Sequence, residues 1–305
     1  MNKITLLFLA FVTSFSMYAQ ETDPLEKVSV YECLKQDRTT FIKQTEVSIS
    51  DWFSYIFDLH IEDWESDEEF DVSSMFPDSI ADINKPIYEI FKRTWPGDFD
   101  AKAKWQTSIV SFPLYLTKEE KKKKDYENLL SMPLTGLAYS DVNKFLKWKG
   151  IKLDEFRDPE GDREYYHQVS LVSVAMYDTL IQNAIEARRS VKDKEGNLTV
   201  VGDSANTSGC FLYNFKGSAN CAASAGRLKM YGTLKGPVGV TSYMPDVNGF
   251  YNLLGNVAEM TEVEGVAKGG HYEIYASEIL KNKEQKYETG DVLIGFRYWV
   301  KLIEK

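Results

Sequence analysis

The stretch that decides the fold runs from Gly249 to Met260 and reads G-F-Y-N-L-L-G-N-V-A-E-M. Calcium binds roughly six to eight oxygens, drawn from carboxylates, amides and backbone carbonyls. Asn252 offers an amide oxygen, Glu259 offers a carboxylate, and Gly255 lets the loop curl so that carbonyls can turn inward. A second interpretation stays open on these residues alone, in which Asn252 and Glu259 cap turns by bonding nearby N–H groups.

Three further blocks accompany this stretch in a fixed order along the chain. Residues 41–53 read F-I-K-Q-T-E-V-S-I-S-D-W-F, residues 132–150 read M-P-L-T-G-L-A-Y-S-D-V-N-K-F-L-K-W-K-G, and V-A-K-G-G-H at 266–271 is followed by I-G-F-R at 294–297. Together the blocks resemble the formylglycine-generating-enzyme (sulfatase-modifying factor) family. The resemblance implies an α+β, C-type-lectin-related fold with short helices, a small twisted antiparallel sheet and much irregular structure.

The resemblance also implies calcium as a structural cofactor. A second calcium site of the family would begin at Asn214 and Phe215, but the aspartate that should complete it falls near Lys229, and a lysine cannot ligate a cation. The ligands of the first site, carried onto the matching positions of this sequence, are Asn252, Gly255, Val257 and Glu259.

The family's oxidase chemistry depends on two cysteine thiolates about five residues apart, because a soft sulfur pair suits monovalent copper. The stretch that should hold them, residues 271–279, reads H-Y-E-I-Y-A-S-E-I and contains no cysteine. We therefore expect a divergent member of the family without copper-dependent catalysis. A replacement site around His271, Glu273 and Glu278 is conceivable, because a histidine with carboxylates can bind a metal or act as a general base. The alternative is a polar, solvated strand.

The N-terminal residues are typical of an export signal over residues 1–19. Lys3 precedes a short apolar run from Ile4 to Val12, and Ala19 is a small residue suited to cleavage. Loss of Lys3 changes the formal charge from −10 to −11. We expect a periplasmic or secreted protein that crosses no membrane and does not bind nucleic acid, because an acidic surface repels phosphate.

The rest of the chain favours one domain over residues 39–305, preceded by an extension at 20–38 and interrupted by insertions near 62–75 and 115–128. Cys210 and Cys221 flank a short polar loop and can form a local disulfide, which would leave Cys33 as a free thiol. Whether they are bridged stays open.

Serine residues mark the starts of three predicted helices with one apolar face each. Ser50 precedes Trp52, Phe53, Ile56 and Leu59; Ser140 precedes Val142, Phe145 and Leu146, with Gly150 ending that helix; Ser173 precedes a helix that runs to Arg188 or Arg189. Strands are predicted at 41–47, within 265–275, and at 293–302.

These features favour an exported, non-catalytic binding or assembly protein with a protein partner, as a component of a cell-envelope or secretion machinery. Two alternatives belong to other classes. One is a divergent metal-dependent oxidase or oxygenase of the same superfamily, and the other is a calcium-dependent glycan-binding module, which rests on analogy of fold alone.

Overall fold

The computed structural model describes residues 33–63, 131–157, 164–189, 213–216, 236–243, 245–246, 248–288 and 290–304. These residues form a mixed α/β fold with few helices and two small sheets. The helices are α1 (Ile49–Asp63), α2 (Tyr139–Arg157), α3 (Val174–Arg189) and α4 (Ala276–Ile279); the strands are β1 (Cys33–Lys35), β2 (Thr40–Lys43), β3 (Tyr165–Leu171), β4 (Ala258–Met260), β5 (Val266–Lys268), β6 (Gln285–Lys286), β7 (Ile294–Phe296) and β8 (Tyr298–Glu304).

Sheet 1 is antiparallel, with the strand order β1-β2-β8-β3. β8 is the inner strand that joins the N-terminal strands to β3, pairing Lys301 with Thr40 on one side and with Gln168 on the other. β1 lies inside the stretch at 20–38 that was predicted as an extension, so sheet 1 begins before residue 39.

Sheet 2 has the order β6-β5-β4-β7, and its β4–β7 pair is parallel. The expectation of a small antiparallel sheet is therefore confirmed in part: sheet 1 is antiparallel throughout its described strands, but there is a second sheet, and its β4–β7 pair is parallel. The strand predicted at 293–302 is in fact two strands, because the chain leaves sheet 2 after Phe296 and enters sheet 1 at Tyr298. Arg297 alone forms the junction between the sheets.

Helix α1 begins two residues earlier than the sequence predicts. Ser48, not Ser50, is the capping residue: its Oγ accepts from the Asp51 N–H at 3.2 Å, and the Asp51 carboxylate accepts from the Ser48 N–H at 2.8 Å. This reciprocal pair satisfies donors that a helix start leaves open. Trp52, Phe53 and Ile56 are buried as predicted, and Leu59 packs against the same core.

Helix α2 does not end at Gly150 but continues to Arg157. The glycine is needed for close packing, because a Cβ there would lie 2.9 Å from the carbonyl oxygen of His167 on β3. Helix α3 starts as predicted, with the Ser173 Oγ accepting from the Met176 N–H at 3.1 Å.

Sheet 1 carries a hydrophobic core on each face, because side chains alternate along a strand. Phe41 and Val300 pack with α1 and α2, whereas Ile42 and Trp299 pack with α3 and the loop of residues 249–255. Each fully buried aliphatic or aromatic side chain contributes about 1.5–3 kcal/mol relative to exposure. Trp299 is partly buried in this second core, and its Nε1 donates to the Leu171 carbonyl at 2.9 Å.

Several predictions fall outside the described residues: the signal at 1–19, the insertion at 115–128, most of that at 62–75, and the pair Cys210 and Cys221. Cys33 is described, and it is a buried cysteine that forms no disulfide within the described residues. No helix within the described ranges is long and apolar enough to cross a bilayer.

Candidate functional site

The loop of residues 249–257 is held in a tight left-handed path. Asn252, Gly255 and Asn256 have φ values of 51°, 75° and 61°. Gly255 is required by contact as well as by conformation, since a Cβ would lie 2.2 Å from the Asn214 carbonyl oxygen. The same carbonyl accepts from the Asn256 N–H at 2.8 Å. The loop is thus pressed against the segment around Asn214, and this contact fixes which oxygens face inward.

Asn252 sits at the centre of this arrangement and is 6% exposed. Its Nδ2 donates to the Glu46 carboxylate at 3.0 Å and to the Val240 carbonyl at 3.1 Å. Its Oδ1 is buried and has no hydrogen-bond partner among the described residues. A buried acceptor without a partner lowers stability by roughly 1–3 kcal/mol, so a ligand that binds this oxygen would stabilise the fold.

Glu259 lies on β4, 1% exposed, and is bound in two-pronged fashion by Arg297. The guanidinium donates from Nε to one carboxylate oxygen at 2.9 Å and from Nη2 to the other at 2.8 Å. The Tyr177 hydroxyl also donates to Glu259. Burial raises the pKa of Tyr177 well above its usual value, and the charge of Glu259 adds to that effect, which keeps the hydroxyl a donor.

A second buried carboxyl, Glu46, completes the cluster. It is fully buried and accepts from Asn252 and from the Asn256 Nδ2 at 2.9 Å. Burial, with the nearby charge of Glu259, raises the pKa of Glu46 to about 8. The Arg297 guanidinium bonds Glu259 and acts on Glu46 only through its charge, so the cluster is short of positive charge whenever both carboxyl groups are ionised.

These observations fit a calcium ion at the residues predicted from the sequence. Asn252 has a free buried oxygen, and Gly255 and Val257 bring backbone carbonyls within the same buried loop. Glu259 shares its carboxylate with Arg297 but keeps oxygen lone pairs beyond those bonds. No group of three His, Cys, Asp or Glu side chains suited to a metal occurs in the described part of the chain, and a site built from amides and carbonyls would not form such a group. We therefore retain calcium as a proposal.

Sequence reasoning missed Glu46 and Arg297 as members of this site. Glu46 is more than two hundred residues from its partners, with a sequence separation of 210 from Asn256. Its signal was the T-E-V run that precedes α1, and the signal of Arg297 was the G-F-R block. In the sequence, both blocks were interpreted only as evidence for the fold.

Asn214 and Phe215, the start of the predicted second calcium site, belong to other contacts in the structure. Asn214 is fully buried, and its Nδ2 donates to the Gly236 carbonyl at 3.0 Å and to the Asn256 Oδ1 at 3.3 Å. Phe215 packs in the core beside Tyr213, with ring centroids 5.3 Å apart. Lys229 lies outside the described residues.

His271, Glu273 and Glu278 do not converge on a common point. The His271 Nδ1 accepts from the backbone N–H of Glu273 at 3.2 Å, and burial lowers the pKa of the His271 ring. Glu278 lies on α4 and pairs with Lys281. Their hydrogen bonds are local, so the structure provides no shared metal or proton-transfer geometry at these three residues.

Two isoleucines of the same segment pack together beside Gly270. Ile274 and Ile279 both pack beside Gly270, where a Cβ would lie 3.1 Å from Ile274 Cδ1 and 2.7 Å from Ile279 Cγ1. Gly270 has a φ of 78°, so it suits both the turn and this close packing. The segment that follows Gly269-Gly270 is thus held in place by an apolar contact, in which Ile279 is buried at 3% exposure.

No family model matches the sequence, and no curated protein matches it. Among solved structures the chain is similar to PvdO from Pseudomonas aeruginosa, at 14% identity and a TM-score of 0.33, over 56% of this chain and 63% of PvdO. It is similar to CarF at 14% identity and a TM-score of 0.36, over 87% of each chain. The variable protein 1 of Treponema denticola matches at 16% identity and a TM-score of 0.28, over 46% of this chain and 50% of that one.

The match spans less than two thirds of PvdO's own length. Similarities this low assign neither a family nor a function. Fold and site together define a mixed α/β protein with two small sheets that are joined at a buried Glu–Arg–Asn cluster.

Proposed function

We propose that the chain is an exported, non-catalytic binding or assembly protein on a formylglycine-generating-enzyme-like scaffold, acting with a protein partner in a cell-envelope or secretion machinery. The observation that supports the non-catalytic part of this proposal is the contact of Ile274 and Ile279 beside Gly270. In the family that the sequence resembles, two thiolates about five residues apart occupy this stretch to bind copper. Two isoleucines offer a metal no ligand.

Calcium has a structural role in this proposal. Asn252, Gly255, Val257 and Glu259 would hold the ion, and its charge would fix the buried loop against sheet 2. Ions that bind only the folded state stabilise it by mass action. Calcium would thus stabilise the cluster in which the charge of one guanidinium acts on both Glu259 and Glu46.

The first test is the metal content of the purified protein by elemental mass spectrometry, with thermal unfolding repeated after chelation. We expect near-stoichiometric calcium, no copper or iron, and a lower melting temperature in chelator. At a free calcium concentration a hundredfold above the dissociation constant, the lost stabilisation is about 2.7 kcal/mol. Stoichiometric copper or iron would overturn the non-catalytic proposal, whereas absence of calcium would overturn only the structural-ion part.

The export part has its own test. Cleavage after Ala19 gives a mature chain that begins at Gln20, which intact mass and N-terminal sequencing of the protein from its native cells measure directly. A chain that retains residues 1–19 and stays in the cytoplasm would contradict export while leaving the scaffold proposal in place.

The partner can be sought by cross-linking in intact cells followed by purification under native conditions. We expect one protein in constant ratio to the chain across independent preparations. Purification as a single species with no cross-linked partner would count against an assembly role.

A further inference from the structure

A second site lies away from the calcium loop, in a cleft of about 630 Å³ between α3 and the segment that follows α4. Its size falls within the range of roughly 300–1,000 Å³ that is common for small-molecule sites. Asp178 and Gln182 line it from α3, Lys268 from the end of β5, and Asn282 from the segment after α4.

The floor of the cleft is built around a buried lysine. Lys268 is 3% exposed, and its Nζ donates to the Asn282 carbonyl at 2.7 Å and lies 2.6 Å from Asp178 Oδ1. An ammonium group carries three N–H donors. Two are used by these contacts, so one remains without a partner among the described residues.

Asn282 provides the complementary group. Its backbone is left-handed, with a φ of 49°, and its Nδ2 donates to Asp178 Oδ1 at 2.9 Å. Its Oδ1 is buried and has no partner within the described part of the chain. The floor therefore offers an unused donor on Lys268 beside an unused acceptor on Asn282, and both groups are held in place by Asp178.

The charges at the floor are balanced, because Asp178 neutralises Lys268. On the rim, Lys281 pairs with Glu278, Glu284 lies 3.6 Å from Lys286, and Glu186 accepts from Gln182 at 2.9 Å. An anion or a cation that reached the floor would have to break the Asp178–Lys268 ion pair to be bound. The cleft therefore favours a neutral ligand that both donates and accepts hydrogen bonds.

Neighbouring hydroxyl groups meet this requirement better than a peptide group does. The N–H and C=O of a trans peptide group point in opposite directions, so one peptide group cannot serve two groups that lie side by side. Vicinal hydroxyls lie on one edge of a molecule, and each is both a donor and an acceptor. The half-buried aliphatic side chains of Ile185 and Leu280, which also line the cleft, can pack against the C–H groups of a ring.

We propose that this cleft binds a saccharide through a pair of neighbouring hydroxyl groups, which accept from Lys268 and donate to Asn282 and Asp178. None of the predicted calcium ligands lines this cleft, so binding does not require calcium. The site is also independent of the proposed assembly role, and either can fail while the other stands.

The test is a titration of isotope-labelled full-length protein, followed by the shifts of its amide NMR signals. The probes are glucose, galactose, mannose and N-acetylglucosamine, together with soluble oligomers of each, which separate binding of a free sugar from binding of a glycan chain. Each titration is repeated in chelator. We expect saturable shifts at Lys268 and Asn282 that persist without calcium.

Asn282→Gly is the decisive variant, because glycine adopts the left-handed backbone readily and only the side-chain amide is lost. Loss of one hydrogen bond should weaken sugar binding about fivefold. Lys268→Met should weaken it further, with circular dichroism confirming that the variant is folded. Lys283→Ala, an exposed neighbour outside the cleft, is the matched control and should bind as the parent does.

Three results would overturn the proposal. They are the absence of shifts with every probe, shifts confined to residues away from the cleft, and unchanged sugar affinity in Asn282→Gly. Binding that disappears in chelator would also contradict it, because it would place the sugar at a calcium ion.

Discussion

Replacement of Arg297 by lysine tests whether the buried cluster holds the two sheets together. Arg297 is fully buried and makes five hydrogen bonds: two to Glu259 and three to the carbonyls of Lys43, Gln44 and Tyr251. Lysine keeps the positive charge but has only three N–H donors. The variant must therefore lose at least two of these bonds.

A hydrogen bond to a charged group contributes about 1.5–3 kcal/mol, so two such losses cost about 3–6 kcal/mol. At roughly 2–4 °C per kcal/mol for a protein of this size, the melting temperature should fall by about 6–24 °C. Many proteins have about 5–15 kcal/mol of stability in total, so the variant should still fold at low temperature.

The assay is urea unfolding followed by circular dichroism and tryptophan fluorescence in the same buffer. Arg38→Lys is the matched control, because Arg38 is exposed and the same exchange there should change the free energy of unfolding by less than about 0.5 kcal/mol. If the free energy of unfolding of Arg297→Lys is within about 1 kcal/mol of the parent's, the guanidinium does not hold the two sheets together in the way we describe.

Three other perturbations address the loop and its buried acid. The folded state holds Glu46 at a pKa of about 8 against its ordinary 4.5, so between these pH values the folded protein binds more protons than the unfolded one. The free energy of unfolding of the chelated protein should therefore fall as pH rises through this window. Glu46→Gln should flatten that slope, and an unchanged slope in urea unfolding would contradict the assignment. Gly255→Ala should lower the free energy of unfolding by about 2–6 kcal/mol, through strain and the clash with Asn214. Its control is Gly290→Ala, where φ is 85° and nothing lies within 4 Å of the added carbon, so only the conformational penalty of about 1–2 kcal/mol applies. Equal losses of stability in the two variants would refute the clash. Asn252→Gly keeps the left-handed backbone and removes the unpaired oxygen, so it should abolish the chelator-dependent part of the melting temperature, and full retention of calcium by this variant would rule that oxygen out as a ligand.

Local elements were predictable from the sequence where the signal is local. The apolar spacing from Trp52 to Ile56 predicted the buried face of α1, and Ser173 predicted the start of α3. Gly150 was misjudged because its role is a close contact with His167 on another element, which no local pattern records. Glycine ends many helices, but it also allows close packing in the middle of one.

The site divides in the same way. The candidate calcium site, with Asn252 in the loop and Glu259 on β4, was predicted from the oxygens of these residues, and Gly255 was expected to let the loop curl. The partners of that loop were not found, because Glu46 and Arg297 reach it only through the pairing of distant strands. A sequence read alone also treats residues 293–302 as one strand, since nothing local marks Arg297 as the point where the chain changes sheets.

The position of β8 in sheet 1 has a consequence for how the chain can fold. β8, Tyr298–Glu304, lies between β2 and β3, although it follows every other strand along the chain. During synthesis, none of the other described strands pairs with β3 before residues 298–304 have emerged from the ribosome, and until then β1 and β2 form a two-stranded hairpin, which is marginally stable in water. The described strands of sheet 1 can therefore come together only after residues 298–304 have been made, and loss of β8 would separate β1 and β2 from β3 instead of merely removing an edge strand.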